Sequence, residues 1–122
     1  MKSAKSSRPR VVLVNRSVVL HPKQKKFLLI QRSVEDSWNP GRWELPGGKL
    51  DEGQDISNAM EREVFEETGL LVIPINRIAY FESYLVPSGK YKGLTFISLI
   101  GLSKCTNDNV KLSSEHDSFK WV

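Results

Sequence analysis

Residues 48–70, GKLDEGQDISNAMEREVFEETGL, contain the one clear helix signal of the chain and seven of its 14 acidic residues. Asp55 or Ser57 can cap the start of this helix, because either side chain can accept a hydrogen bond from the first free amides. Gly69 stands where a left-handed residue is expected after the last turn. The stretch therefore predicts a helix that begins near residue 55 and ends before Gly69.

One stripe of this helix changes from apolar to acidic along its length. At 100° per residue, four positions fall within about 60° of one another: Ile56, Met60, Glu63 and Glu67. Glu66 lies on the other flank of Glu63, so we expect three carboxylates to point the way the core-facing residues point. Such pairs repel by about 0.2–0.5 kcal/mol each even in water, and the helix C-terminus disfavours anions further. A hard divalent cation would relieve the repulsion; a solvated acidic face is the alternative.

A glycine-rich segment, from Gly47-Gly48 to Gly53, precedes the helix. Glycines let a backbone approach a metal ion or a phosphate closely. A pair of glycines alone would indicate only a turn. Beside the carboxylate cluster, the pair predicts a loop that forms part of a metal and phosphate site.

The rest of the chain is predicted to be mainly strands and loops. Residues 32–41 are predicted to be a loop. Six segments have strand character: residues 10–20 and 26–31 as a pair, 43–45 as a short extended piece, 76–86 with 93–102 as a hairpin, and 118–122 as the start of a last strand. Strands on both sides of a helix predict a mixed sheet with helical cover, in an α/β or α+β domain.

The positive charge of the chain is concentrated at its start. The net charge is +4, but residues 1–10 contain four basic and no acidic residues, so the remaining residues are neutral overall. We therefore expect a basic flexible tail over residues 1–9 and a single domain over residues 10–122. A nucleic-acid partner is disfavoured, because the domain itself has no basic excess.

The single cysteine and the hydropathy of the chain indicate in which cellular compartment the protein is expected. Cys105 is the only cysteine, which excludes an internal disulfide and suits a reducing environment. No apolar run approaches the roughly 18 residues that a membrane span needs. We expect a cytoplasmic protein without a membrane partner.

The acidic helix and its flanks resemble the Nudix hydrolase family, of the kind called MutT-like. The family motif is glycine, five residues, glutamate, seven residues, and then Arg-Glu-hydrophobic-any-Glu-Glu-any-Gly-hydrophobic. Eight positions match it: Gly48, Arg62, Glu63, Val64, Glu66, Glu67, Gly69 and Leu70. The segments FLLIQR and GRWELPGG before the motif, and EHDSFKWV at the far end, are also typical of the family.

The resemblance implies a fold and an activity. The fold is an α/β/α sandwich around a central mixed sheet. The activity is Mg²⁺-dependent hydrolysis, with Mn²⁺ as the other candidate ion, of a nucleoside diphosphate linked to another group. The favoured substrate is a nucleoside triphosphate, canonical or oxidised, which gives a nucleoside monophosphate and pyrophosphate. An ADP-ribose or nucleotide-sugar pyrophosphatase and a non-catalytic nucleotide sensor are the alternatives.

The resemblance also assigns residues to the metal site. The metal ligands are Glu63, Glu66 and Glu67, together with the backbone carbonyl of Gly47. Arg62 is expected to orient these carboxylates, or to form an ordinary helix ion pair with Glu66. The general base is Glu63 or Glu115, the latter from a predicted loop.

Substrate contacts are expected outside the acidic helix. Three residues are predicted to touch the substrate: Arg32, Phe81 and Gly48. Arg32 has a surface salt bridge as its alternative role. Five aromatic residues are candidates for stacking on a base: Trp38, Trp43, Tyr80, Phe81 and Tyr84. His116, beside Glu115, is expected to be a surface residue.

The chain departs from the family pattern in two places. Gln54 replaces the first glutamate of the motif, which keeps a hydrogen-bonding oxygen but removes a charge that supports the metal cluster. We therefore expect weaker metal binding or slower turnover. The sequence also stops at Trp121-Val122, so the C-terminal helix usual in the family is expected to be missing, and a homodimer is one way to cover the surface it leaves.

Overall fold

The computed structural model describes residues 7–122. Residues 1–6, and with them most of the predicted basic tail, lie outside the described part; residues 7–10 are exposed and have no regular secondary structure. The elements, in chain order, are β1 (Val11–Leu20), β2 (Leu28–Arg32), β3 (Trp43–Glu44), β4 (Gly47–Lys49), α1 (Ile56–Thr68), β5 (Val72–Leu85), β6 (Thr95–Cys105) and β7 (His116–Trp121).

The strands form two sheets, and the larger one is mixed. Its order is β4-β1-β6-β5, with β1 parallel to β6 and antiparallel to β4, and with β5 antiparallel to β6. The smaller sheet has the order β3-β2-β7 and is antiparallel throughout. Helix α1 contacts β1, β4 and β5 of the larger sheet. The predicted α/β class with a central mixed sheet is confirmed, and α1 is the only helix within residues 7–122.

The prediction that residues 10–20 and 26–31 pair with each other is wrong. Both segments form strands, but β1 lies in the larger sheet and β2 in the smaller. Along the described chain they meet in one isolated bridge, between Leu20 and Phe27. Both edges of β2 are taken by β3 and β7, and β4 pairs with β1 over Val14–Arg16 on the edge opposite β6.

Helix α1 begins and ends at the predicted capping residues. The carboxylate of Asp55, and not Ser57, accepts a hydrogen bond from the amide of Asn58 at 3.0 Å. Gly69 has φ 73° and its amide donates to the carbonyl of Phe65 at 2.8 Å, as the left-handed cap requires. Between these caps, Met60 and Val64 are buried in the hydrophobic core.

The core lies between α1 and the sheets. Its buried members are Val19, Leu28, Ile30, Met60, Val64, Leu70, Val72 and Cys105. Ile56, predicted to share the core-facing stripe, is 40% exposed in the first turn of α1. The packing of α1 turns its buried side toward Met60, Val64 and Glu67. Within residues 7–122, no helix is long and apolar enough to cross a membrane.

The glycine pair before the helix is part of a strand, so the predicted loop over Gly47-Gly48 is wrong. Gly47 pairs with Arg16 and Gly48 with Asn15, both across the β4–β1 ladder. Gly47 has φ 149°, and a Cβ atom there would lie 2.1 Å from the carbonyl oxygen of Asn15. A glycine is needed because the two backbones approach more closely than any side chain permits.

Candidate active site

A cleft of about 840 Å³ lies beside the acidic face of α1. Its walls come from β1, β3, β4, β5 and β6, from the loop over residues 33–42, and from the β5–β6 hairpin over residues 86–94. Six carboxylate side chains line it: Glu44, Asp51, Glu63, Glu67, Glu82 and Glu115. Gly47 and Gly48 line it through their backbone, so the motif and the flanking segments meet at one place.

Glu67 is the most deeply buried carboxylate of the cleft. The residue is 8% exposed, and its Oε1 accepts a hydrogen bond from the amide of Gly47 at 2.9 Å. Burial raises the pKa of Glu67 to about 7, and the negative charge of Glu63 acts in the same direction. The hydrogen bond from Gly47 acts against this rise and does not cancel it. A buried carboxylate of this kind gains stability from a bound proton or a bound cation.

Glu63 lies against β4, the strand that contains Gly48. Its Oε1 accepts a hydrogen bond from the guanidinium of Arg62 at 3.0 Å. A Cβ atom at Gly48 would lie 3.1 Å from the Oε2 of Glu63. The glycine therefore leaves room for the Glu63 carboxylate beside β4. Gly48 lines the cleft, and its contact with the substrate stays a prediction.

Glu66 does not join the other two motif carboxylates in the structure. Its side chain is 60% exposed, and its Oε1 lies 3.9 Å from the Nε of Arg62. The prediction that all three carboxylates point inward is therefore wrong for Glu66. The physical reason is rotation: Glu66 is 100° away from Glu67 around the helix, and α1 packs with Glu67 inward. The ligand role of Glu66 stays a prediction.

Arg62 and Gln54 lie together at the other side of the helix. Arg62 contacts both Glu63 and Glu66, so both predicted contacts occur. Gln54 lines a shallow depression beside Arg62, and its Oε1 accepts a hydrogen bond from the amide of Asp51 at 2.8 Å. The substituted motif position thus supports the turn that leads into α1.

Sequence reasoning missed a buried ionic cluster around Glu44. Its Oε2 accepts hydrogen bonds from Arg32 at 3.1 Å and from the Nε2 of His116 at 2.9 Å, and its Oε1 lies 3.6 Å from Arg16. Burial by itself would raise the pKa of Glu44, but the His116 contact and the two arginines outweigh it, so the pKa lies below its usual value. The cluster joins β1, β2, β3 and β7. Only the segment GRWELPGG, typical of the family, signalled this position.

His116 is buried, so the predicted surface position is wrong. It is 5% exposed, and it opposes Arg32 where β7 pairs with β2. Pairing of β7 with β2 places the imidazole over Glu44, with its Nδ1 buried and without a hydrogen-bond partner among residues 7–122.

Arg32 lines the cleft and also holds a loop through ion pairs, so its contact with the substrate stays a prediction. Besides Glu44, its guanidinium donates to Asp36 at 2.5 Å and to the carbonyl of Trp38 at 2.8 Å. The side chain is only 16% exposed, so the ion pair is not a surface one. These bonds fix the loop so that Trp38, which is 57% exposed, stands at the cleft.

The remaining predicted contacts divide between the cleft and the opposite face of β5. Glu115 lines the cleft, and its carbonyl anchors the segment before β7 by accepting from the amide of Ser33 at 2.9 Å. Phe81 is 71% exposed and does not line the cleft, so the prediction of a substrate contact there is wrong. Successive strand residues point to opposite faces, and on β5 the cleft side belongs to Glu82 and Tyr84. Of the stacking candidates, Trp38, Trp43 and Tyr84 line the cleft.

The donors in the cleft fit a hard divalent cation. Carboxylate oxygens are the ligands such ions prefer, and Glu63, Glu67 and Glu115 supply them from two parts of the chain. Glu67 in particular is desolvated and repelled by Glu63, so a cation would stabilise it. Within residues 7–122, no three metal-ligating side chains already stand together as one cluster.

Comparison with known proteins gives the family. The model of the NUDIX domain matches residues 12–122, which include the cleft and every element from β1 to β7 except the first residue of β1. The chain belongs to the NUDIX domain family, as its motif predicts.

Individual relatives agree with this assignment. The chain is 33% identical to the 8-oxo-dGDP phosphatase NUDT18 of Mus musculus over 78% of its length, and 42% identical to the 8-oxo-dGTP diphosphatase of Buchnera aphidicola over 45%. It spans only 26% and 44% of those two proteins. A solved structure of the MutT protein from Methanosarcina mazei superposes with a TM-score of 0.77 at 29% identity, covering 96% of this chain and 80% of that one.

Proposed function

We propose that this chain is a divalent-metal-dependent hydrolase that cleaves the diphosphate linkage of a nucleoside diphosphate linked to another group. The observation that carries the proposal is the buried carboxylate of Glu67, which lies in the cleft between α1 and β4 with Glu63 beside it. Phosphoryl transfer depends mainly on positioning and on charge neutralisation. A cleft whose buried carboxylates favour a cation can provide both.

The motif residues would hold the ion. We assign Glu63, Glu66 and Glu67 as ligands, with the carbonyl of Gly47 as a backbone ligand. A bound Mg²⁺ or Mn²⁺ supplies charge neutralisation for the phosphates and a water of lowered pKa. The Gly47 amide holds Glu67 in place, and Arg62 holds Glu63.

Glu115 is our choice for the general base. Glu63 is already held by Arg62 at 3.0 Å, which suits a ligand that keeps one orientation. Glu115 comes from a different part of the chain and lines the same cleft. Its carboxylate can take a proton from an attacking water and release it to solvent after the phosphorus–oxygen bond has broken.

A nucleoside triphosphate is the favoured substrate. Trp38 is exposed at the cleft, and Arg32 and Asp36 hold the loop that presents it, so its ring is available for stacking on a base. The two relatives at 33% and 42% identity are named for oxidised guanine nucleotides. The second candidate function is a nucleotide sensor without turnover, which Gln54 at the motif glutamate position favours.

A nucleotide panel tests the proposal. Release of nucleoside monophosphate from triphosphates, oxidised triphosphates, ADP-ribose and nucleotide sugars is measured in Mg²⁺ and in EDTA. Glu67→Gln should lower turnover by more than about 10–100-fold, which is the usual cost of losing only an outer partner of a metal ligand. Glu61→Gln is the matched control, because Glu61 is exposed on the same helix.

Two results of the panel decide between the candidates. Turnover that needs Mg²⁺ and falls in Glu67→Gln but not in Glu61→Gln supports the hydrolase. If the unchanged chain and Glu67→Gln are equally inert while a nucleotide still binds, the sensor is the function.

A further inference from the structure

The cleft contains a cationic corner that neither the family motif nor the carboxylate site uses. Lys49, at the end of β4, and Lys90 and Tyr91, in the β5–β6 hairpin, line the cleft together. Lys49 follows Gly48, which lies against the Glu63 carboxylate. The corner is therefore adjacent to the acidic site.

The hairpin that supplies Lys90 and Tyr91 is well defined. The amide of Val86 donates to the carbonyl of Leu94 at 3.0 Å, and the amide of Gly93 donates to the carbonyl of Val86 at 2.9 Å. Inside this ring, the amide of Leu94 donates to the carbonyl of Tyr91 at 3.1 Å. The positions of Lys90 and Tyr91 are thus set by the backbone of the turn.

Tyr91 draws the two lysines together. The ammonium of Lys49 donates a hydrogen bond to the phenol oxygen of Tyr91 and lies 4.5 Å from the ring centroid. The ammonium of Lys90 lies 5.4 Å from the same centroid. Phe96, buried below, contacts the ring edge with centroids 5.4 Å apart. Lys49 also holds the pKa of the Tyr91 phenol below its usual value.

These contacts favour an anion over a nucleobase as the ligand of the corner. The ring of Tyr91 is already covered by ammonium groups and by Phe96, so it offers no open platform for stacking. Within residues 7–122, neither lysine is paired with a carboxylate. Two unneutralised ammonium groups facing one cleft attract phosphate oxygens, and lysine is a common phosphate ligand.

We propose that Lys49, Lys90 and Tyr91 form a subsite for the terminal phosphate of the substrate, beyond the linkage that is cleaved. The proposal rests on the proposed function, and it gives the enzyme a basis for preferring nucleoside triphosphates. A terminal phosphate carries charge that the two ammonium groups can bind, whereas a sugar at the same position is neutral. Tyr91 acts as a positioning residue, because its phenol holds Lys49 at the corner.

Binding of inorganic tripolyphosphate in EDTA tests the subsite apart from catalysis. Titration calorimetry on the chain should give a dissociation constant that rises about tenfold in Lys90→Gln, the size of one charge-assisted contact. Tyr91→Phe should weaken binding about threefold by freeing Lys49. The matched control is Lys92→Gln, an exposed lysine of the same hairpin outside the cleft, which should bind as the unchanged chain does.

The Michaelis constants give the second readout. In Lys90→Gln, KM for a nucleoside triphosphate should rise about tenfold while KM for a nucleotide sugar stays the same. If Lys90→Gln and Lys92→Gln bind tripolyphosphate equally well, the subsite is wrong even where nucleotides are hydrolysed. If no nucleotide is hydrolysed but Lys90→Gln alone loses tripolyphosphate, the subsite stands and the proposed function fails. Should Tyr91→Phe not fold, Lys90→Gln decides the outcome, since Lys90 is exposed.

Discussion

The buried carboxylate of Glu67 accepts a hydrogen bond from the backbone amide of Gly47 at 2.9 Å, which joins the last turn of α1 to the start of β4. The two residues are 20 positions apart: Gly47 directly precedes the acidic motif, and Glu67 lies near its end. The contact orients Glu67 toward the cleft but does not neutralise it, because an amide removes only part of the cost of burying a charge. The residual cost makes the site sensitive to protons and cations.

The stability of the metal-free chain should therefore fall as the pH rises. The pKa of Glu67 is about 7 when folded, against 4.5 for an ordinary glutamate, so the folded state binds its proton more tightly than the unfolded state. The stabilisation from this proton is complete below pH 4.5 and is lost as the pH rises through 7. We expect a loss of roughly 2–3 kcal/mol in the free energy of unfolding from this group.

Urea denaturation in EDTA between pH 5 and 8 measures this loss as the difference between the unchanged chain and Glu67→Gln. Glu61→Gln should follow the unchanged chain. The same pH slope in Glu67→Gln as in the unchanged chain would contradict the role of Glu67.

Gly47→Ala should destabilise the chain strongly. The new Cβ would lie 2.1 Å from the carbonyl oxygen of Asn15 and 2.6 Å from the Cα of Arg16, so β4 and β1 must separate. We expect a loss of more than about 3 kcal/mol, or no folded protein. Gly89→Ala is the control, because Gly89 also has a positive φ but open space at its Cβ position, and should cost about 1 kcal/mol. Thermal denaturation measures the stability of both variants. An equal loss of stability in Gly47→Ala and Gly89→Ala would contradict the close approach of β4 and β1.

Glu44→Gln should cost about 3 kcal/mol of stability near neutral pH. The carboxylate is 13% exposed and is the shared partner of Arg16, Arg32 and His116, so its loss removes the ion pair of Arg16 and the hydrogen bond of His116 and leaves Arg32 with Asp36 as its remaining carboxylate partner. Because its pKa is held below the usual value, this stabilisation is present at neutral pH and is lost as the pH falls through the folded-state pKa. Urea denaturation midpoints measure this cost. Glu82→Gln, at an exposed residue of the cleft, is the control and should keep the stability of the unchanged chain. Equal stability of Glu44→Gln and Glu82→Gln would contradict the role of Glu44.

Gln54→Glu should increase turnover at limiting Mg²⁺. The oxygen of Gln54 accepts a hydrogen bond from the amide of Asp51, and a carboxylate can accept the same bond while adding a negative charge beside Arg62, which holds Glu63. We expect a severalfold rise in kcat/KM below saturating Mg²⁺ and a smaller rise above it. Gln24→Glu, in the exposed turn after β1, controls for the added charge. Equal rates for Gln54→Glu and the unchanged chain at low Mg²⁺ would show that position 54 does not affect metal binding.

Local signals were sufficient for the helix and for the class of fold. Asp55 and Gly69 act on the backbone of their own helix, so capping could be predicted from neighbouring residues alone. The inward direction of Glu67 also follows from spacing along the helix. The outward direction of Glu66 does not, because the rotation of α1 is set by what it packs against.

Contacts between distant strands left little signal in the sequence. Glu44 meets Arg16, Arg32 and His116 only after four strands from two sheets have come together. The same holds for Gly47. Its sequence context suggests a turn, whereas the structure shows that a glycine is needed there because β4 and β1 approach closely. In both cases the deciding neighbour is far away along the chain.

The parallel ladder between β1 and β6 has a consequence for how the chain is made. Val11 pairs with Thr95 and Leu20 with Lys104, so β1 can pair with its long partner only after the whole segment between them has been synthesised. Pairings of this range are slow to form and leave apolar strand edges open meanwhile. The sheet that carries the cleft is therefore expected to close late in folding, after β6 has been added to it.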